Sequence, residues 1–112
     1  MSEIISWNDF EKINIRVGRI VNVEDFPEAR NPSYKLTIDF GNEIGLKKSS
    51  AHLTQLYSKQ ELQGKLVLAV INFQPKQIAN FLSECLVLGL PSEKGVVLIQ
   101  PECEVSLGGK LF

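Results

Sequence analysis

Two groups of residues in this chain have side chains with useful chemistry. Lys76, together with Arg16, Arg30, Lys35, Lys47 and Lys48, would form a phosphate-binding face if the fold gathered them. Glu28, Asp39 and Glu43 lie among them, so the same residues equally suit an ordinary solvated surface. Tyr34, Phe73 and Phe81 are candidates to stack on bases. Their plainer role is packing, with Phe73 expected in the core and Phe81 the more open of the two. Nothing in the sequence assembles a catalytic centre. His52 follows Ser49 and Ser50, but no acid is spaced to orient it. One histidine and two distant cysteines offer no metal site. Cys85 suits a small buried hydrophobe better than a nucleophile. Gly108-Gly109 is too isolated for a phosphate loop. The expectation is therefore no catalytic residue, no metal and no cofactor.

The elements that would position these residues centre on Val67 to Leu90. Leu66 to Phe73 is short, rich in Val and Ile, and apolar on both faces, which predicts a strand covered on both sides. Leu86 to Leu90 predicts a second strand of the same kind. Between them a polar connector holds Asn72, Gln74, Lys76, Gln77, Asn80 and Ser83, and Pro75 ends strand pairing. A polar loop between rigid strands is a usual place for binding residues.

Composition narrows the classes. The 112 residues favour one domain, 1–112, large enough for a core. A formal net charge of -1 argues against indiscriminate nucleic-acid binding but leaves room for a local basic face. No stretch approaches the ~20 apolar residues of a membrane span, so no membrane insertion is expected. The first ten residues, with Glu3 and Asp9, do not resemble a secretory signal. Cys85 and Cys103 make no disulfide framework, which points to a reducing cytoplasm.

In chain order, Ser6 caps a short N-terminal helix within 1–12, with Trp7, Phe10 and Ile13 on one face. Ile13, Ile15 and Val17 alternate as a half-buried strand, and the phase slips at Gly18, which predicts a bulge there. Phe26 to Ser33 is a loop. Tyr34, Leu36, Ile38 and Phe40 form the clearest strand. A three-residue turn, Gly41 to Glu43, would set Phe40 opposite Ile44 and Ile38 opposite Leu46, keeping the apolar side chains together. Ala51 to Tyr57 predicts a short helix, and Ser58 to Glu61 a capping box before Gly64. Val96 to Ile99 is the last strand, followed by a C-terminal extension over 101–112.

The result is an all-β chain with short helices. It suits a five-stranded barrel of the oligonucleotide/oligosaccharide-binding (OB) type, with a helix between strands 3 and 4 and an extra N-terminal helix. A split β sandwich is the alternative. Three strands apolar on both sides exceed what one small barrel can bury, so the surplus must meet something outside. A dimer partner, the N-terminal helix and the tail can cover much of it; either dimerisation uses the whole surplus, or a remainder forms a groove that grips unfolded segments.

Several blocks resemble the tRNA-binding domain family. Ile15-Arg16-Val17-Gly18-Arg19-Ile20 matches its opening strand, and Ile38-Asp39-Phe40-Gly41 and Leu62-Gln63-Gly64-Lys65 match later blocks. Asn72-Phe73-Gln74-Pro75-Lys76 and Ser83-Glu84-Cys85-Leu86 stand at its lysine and serine motifs. Within the family, Phe26 to Gly41, Ile44 to Ala51 and Pro75 to Gly89 are worded like the CsaA-type secretion-chaperone subgroup. The resemblance implies an OB-fold homodimer that binds unfolded or pre-secretory polypeptides in protein export, with Phe73, Ile78, Phe81 and Leu82 as the peptide-binding residues. It also implies tRNA binding through Arg16, Asn72, Lys76 and Ser83. Glu84 and Cys85 depart from the Gly and Met of the nucleic-acid branch, and a glutamate beside a phosphate path repels it. Ala79-Asn80 stands where that branch has an arginine. A third reading is a dimeric adaptor docking a synthetase or translocase component.

Overall fold

The computed structural model describes residues 2–112. Position 1 of the expected N-terminal helix lies outside them. The helix itself, α1, is confined to Trp7–Glu11. Ser6 and Asp9 close it with a reciprocal capping box, the Asp9 N–H reaching Ser6 Oγ at 3.1 Å and the Ser6 N–H reaching Asp9 at 3.0 Å.

The chain continues as β1 (Ile15–Asp25), β2 (Tyr34–Asp39), β3 (Leu46–Ala51), α2 (Lys59–Leu62), β4 (Leu66–Val70), β5 (Lys76–Ile78), β6 (Phe81–Ser83), β7 (Leu86–Val87), β8 (Gly89–Ser92) and β9 (Gly95–Leu98). Five strands form one antiparallel sheet in the order β3-β2-β1-β4-β7. β5–β6 and β8–β9 are separate hairpins. The sheet curls into a nearly closed barrel, the expected OB-type architecture, with α2 between the third and fourth strands. Closure depends on β1, which pairs β4 through Ile15 to Arg19 and then β2 through Arg19 to Asp25.

The bulge in β1 falls between Ile20 and Asn22, not at Gly18. Gly18 has a different reason. A Cβ there would lie 2.4 Å from Ile38 Cγ2 and 2.8 Å from Phe40 Cε1. The glycine lets β1 press onto the centre of the core, where Ile20, Leu36, Ile38, Phe40, Leu62 and Val67 are fully enclosed.

The β2–β3 turn also departs from expectation. Ile38 pairs with Lys47 and Asp39 with Leu46, which leaves Leu46 62% exposed. Turn chemistry overrides the apolar pattern here. Gly41 and Gly45 take φ of 92° and 85°, the Gly45 N–H reaches the Gly41 carbonyl, and the Phe40 N–H closes onto the Gly45 carbonyl. Ile44 still reaches the core from the turn.

The helix expected over 51–57 is absent. Ala51 continues β3 opposite Tyr34, and only the Tyr57 N–H to the Leu53 carbonyl has helical spacing. Tertiary bonds hold the segment instead. Tyr34 Oη donates to the Tyr57 carbonyl at 2.9 Å, and Tyr57 Oη accepts the Leu98 N–H at 3.1 Å. The strand expected over 86–90 divides at Leu88. β7 stays on the barrel, and β8 leaves it to pair with β9. At the departure point a Cβ on Gly89 would strike Val96 Cγ1 at 2.6 Å.

The C-terminal extension packs on the barrel. Val17 and Gly109, Gly108 and Val17, and Leu111 and Ile15 join N–H to carbonyl, which covers the edge of β1 ahead of its bulge. Among the described residues, no helix is long and apolar enough to cross a membrane.

Candidate polypeptide and nucleic-acid interface

β5 and β6 form an arm that follows β4 and carries most of the candidate residues. Its cross-strand pairs are Lys76 with Ser83, Gln77 with Leu82, and Ile78 with Phe81. Successive pairs face opposite sides. Ile78 and Phe81 share the inward side, and Leu82 projects outward. Phe81 is only 8% exposed, whereas Phe73, in the link from β4, is 58% exposed. That reverses the expected roles of the two phenylalanines. Phe81 is drawn in by Phe26, with ring centroids 5.4 Å apart, and by Lys35, whose ammonium lies 5.1 Å from the Phe26 ring and 5.9 Å from that of Phe81. The four candidate peptide contacts therefore do not share one open surface; Phe73 and Leu82 are the accessible pair. The arm turns at Ala79, which holds a positive φ of 51° without being glycine.

The candidate tRNA residues also divide. Lys76 is exposed at the base of the arm. Ser83 Oγ accepts the Ser50 N–H at 3.3 Å, tying the arm to β3. Next to it, Glu84 grips β3 from both ends. Its Oε1 accepts the Lys48 N–H at 3.0 Å, and its own N–H donates to the Lys48 carbonyl at 2.7 Å. Arg16 is held by Asn14 Oδ1 at 2.7 Å and the Gly108 carbonyl at 2.8 Å, so its guanidinium anchors the tail. Lys47, Lys48, Lys76 and Arg30 form no ion pair among the described residues.

Asn72 is a clamp. Its Oδ1 accepts the Asn14 N–H at 3.0 Å and its Nδ2 donates to the Lys12 carbonyl at 2.7 Å. The side chain stitches the link between α1 and β1 onto the end of β4. Asn72→Ala is expected to cost about 1–2 kcal/mol for the two bonds. It is also expected to speed hydrogen exchange at the Asn14 amide selectively, as amide-resolved exchange would show. Sequence pattern carried no sign of this role, because the partners lie 58 and 60 positions away.

Cys85 is buried and Cys103 exposed. Burial pushes the Cys85 thiol up to about 12; Lys47 opposes the rise and Glu84 adds to it. The folded state thus holds this proton more tightly than the unfolded chain, whose thiol titrates near 9.0. Its stabilising contribution is complete below about pH 9 and is lost as pH rises from there towards 12. Cys85→Ala should flatten that part of a stability profile against pH. Alkylation near neutral pH should label Cys103 and spare Cys85 until the chain unfolds. Among the described residues no group of three His, Cys, Asp or Glu side chains is placed to hold a metal.

The barrel, its polar arm and the uncommitted lysines define a small OB-type binding domain. The family model described as a putative tRNA binding domain matches residues 15–110, and the chain belongs to that family. The crystal structure of CsaA chaperone protein from Picrophilus torridus superposes with a TM-score of 0.93 at 53% identity, over 97% of this chain and 100% of that one. Chaperone CsaA from Bacillus anthracis gives 0.90 at 43% identity, over 98% and 100%. The resemblance to CsaA-type proteins is thereby borne out. Methionine--tRNA ligase of Nanoarchaeum equitans is 37% identical over 108 residues, which are 96% of this chain and 14% of that enzyme. The chain spans about 14% of the length of the first such ligases it matches.

Proposed function

We propose that this chain is a non-enzymatic, homodimeric, chaperone-like protein that binds unfolded or pre-secretory polypeptides in the cytoplasm, in support of protein export. In this reading residues 1–112 act as one binding domain. The observation that carries it is a surplus of apolar side chains outside a completed core. Phe73, Leu82, Leu86 and Leu90 stand exposed although the barrel interior is already filled. Such groups bind extended apolar segments by shape-tolerant burial. Two hollows of about 370 and 330 Å3 near the termini both include Phe112, one with Val17 and Leu68, the other with Trp7 and Phe10. That terminal face is where a second copy would sit. Likeness to two CsaA chaperones supports the same reading. Calorimetric titration with an unfolded apolar polypeptide, on protein whose mass in solution is measured alongside, tests it. A dimer that binds with a negative heat-capacity change is expected. A monomer, or no binding heat, would contradict it.

Lys47, Lys48, Lys76 and Arg30, without ion-pair partners among the described residues, favour tRNA as the second reading, and the family match supports it. Asn72 and Arg16 would then act by holding the frame. A gel-shift titration with bulk tRNA at two salt concentrations tests this, because phosphate contacts make affinity fall steeply with salt.

A further inference from the structure

The barrel is open between β3 and β7. The sheet ends in these two strands, and no ladder joins them. Their free edges can be read from the hydrogen-bond pattern. On β3, the bond from the Phe40 N–H to the Gly45 carbonyl sets the alternation that turns the backbone groups of Lys48 and Ser50 away from β2. Glu84 and Ser83 take three of those groups, and they hold this end of the seam shut. Beyond Ser50 no such tie remains. On β7, the bond from the Leu88 N–H to the Leu68 carbonyl, at 2.9 Å, makes Leu86 and Val70 a bonded pair. The N–H and C=O of Val87 therefore point away from β4, into the seam.

A cavity of about 270 Å3 lies there, walled by Ser50, Ala51 and His52 on one side and Leu86 and Val87 on the other, with Leu98 beneath. A second hollow of about 290 Å3 shares His52 and Val96 with it, so the slot continues outward. Among the described residues no lysine or arginine lines either hollow, which disfavours a polyanion. A donor and an acceptor on one strand residue, beside room for an apolar side chain, match another peptide backbone.

We propose that this open seam is a strand-acceptor site: an extended polypeptide pairs its backbone with the free edge of β7 at Val87 and seats one apolar side chain in the cavity between β7 and β3. The proposal rests on the polypeptide-binding reading and gives that binding a place and a mode. It makes main-chain pairing, not side-chain sequence, the common feature of the ligands.

The test is fluorescence anisotropy with a labelled peptide of about ten alternating leucines and threonines, with a lysine at each end. Two further versions carry backbone N-methyl groups, one at every leucine and one at every threonine. These keep the side chains and remove the donors on one edge or the other. Val87→Pro removes the seam-facing N–H of the protein, and proline is tolerated on a strand edge at such a position. One methylated version, and Val87→Pro, are each expected to bind about three- to ten-fold more weakly, the loss of a single hydrogen bond or somewhat more. Equal binding by all three peptides and by the variant would overturn the seam while leaving polypeptide binding intact. Failure of the parent peptide to bind the unaltered protein would overturn both. If Val87→Pro does not fold, the methylated peptides decide the matter alone.

Discussion

Gly18→Ala will lower the free energy of unfolding by about 3 kcal/mol, although it adds a single methyl group. The new Cβ would stand 2.4 Å from Ile38 Cγ2 and 2.8 and 2.9 Å from two atoms of the Phe40 ring. Neither neighbour can retreat. Ile38 is fully buried in register with Ile20, and Phe40 is fixed by its bond to Gly45 at the turn. β1 would have to lift away from β2 at the point where it changes partners and closes the barrel. Adding Ile38→Ala removes the nearest clash, so the two substitutions together should cost less than their sum by about 0.5–3 kcal/mol. Urea midpoints of the two single variants and the double variant measure this. A Gly18→Ala protein as stable as the original would mean that β1 and β2 are not packed as described.

The second large effect is a reciprocal one. Phe73 and Lys76 are both exposed, lie on the same link and arm, and are free of partners that hold the fold. Phe73→Asp should weaken polypeptide binding about ten- to a hundred-fold, the loss of one buried phenyl group. It should leave affinity for tRNA unchanged or slightly lower. Lys76→Glu should do the opposite. Polypeptide affinity stays, while any tRNA affinity falls and its dependence on salt becomes shallower by about one phosphate contact. Melting temperatures of both variants should match the original, which separates binding from folding. Phe81 would be a poor choice for the same experiment, since it packs under Lys35 against Phe26. Silent behaviour by both variants would show that the arm is not the binding surface.

Much of the barrel was legible because its signals are local. Alternation marked β2, a continuous apolar run marked β4, a capping serine at Ser6 marked α1 and a capping box at Ser58 marked α2. What was hidden depends on contacts distant in sequence. Gly18 announced itself as a break in phase, but its purpose, the approach to Ile38 and Phe40, exists only once β1 lies on β2. The register of β3 was set by two glycines with positive φ against the apolar pattern, so Leu46 lies outside. Phe73 and Phe81 exchanged places because the arm folds back onto Phe26, more than fifty positions earlier in the chain. Asn72 and Ser83 sit in motif positions of the family, yet their polar atoms are tied to neighbouring backbone. Of Arg16, Asn72, Lys76 and Ser83, only Lys76 is exposed with its side-chain polar atom in no hydrogen bond or ion pair among the described residues; Arg30 and Lys48 share that freedom elsewhere on the surface.

The most direct measurement is a pair of titrations on the same protein, one with an unfolded apolar polypeptide and one with bulk tRNA, each carried from about 50 to 200 mM salt. The account predicts polypeptide binding whose affinity barely changes across that range, and tRNA binding that is weak and fades with salt. Tight, steeply salt-dependent binding of tRNA with no binding of the polypeptide would contradict it.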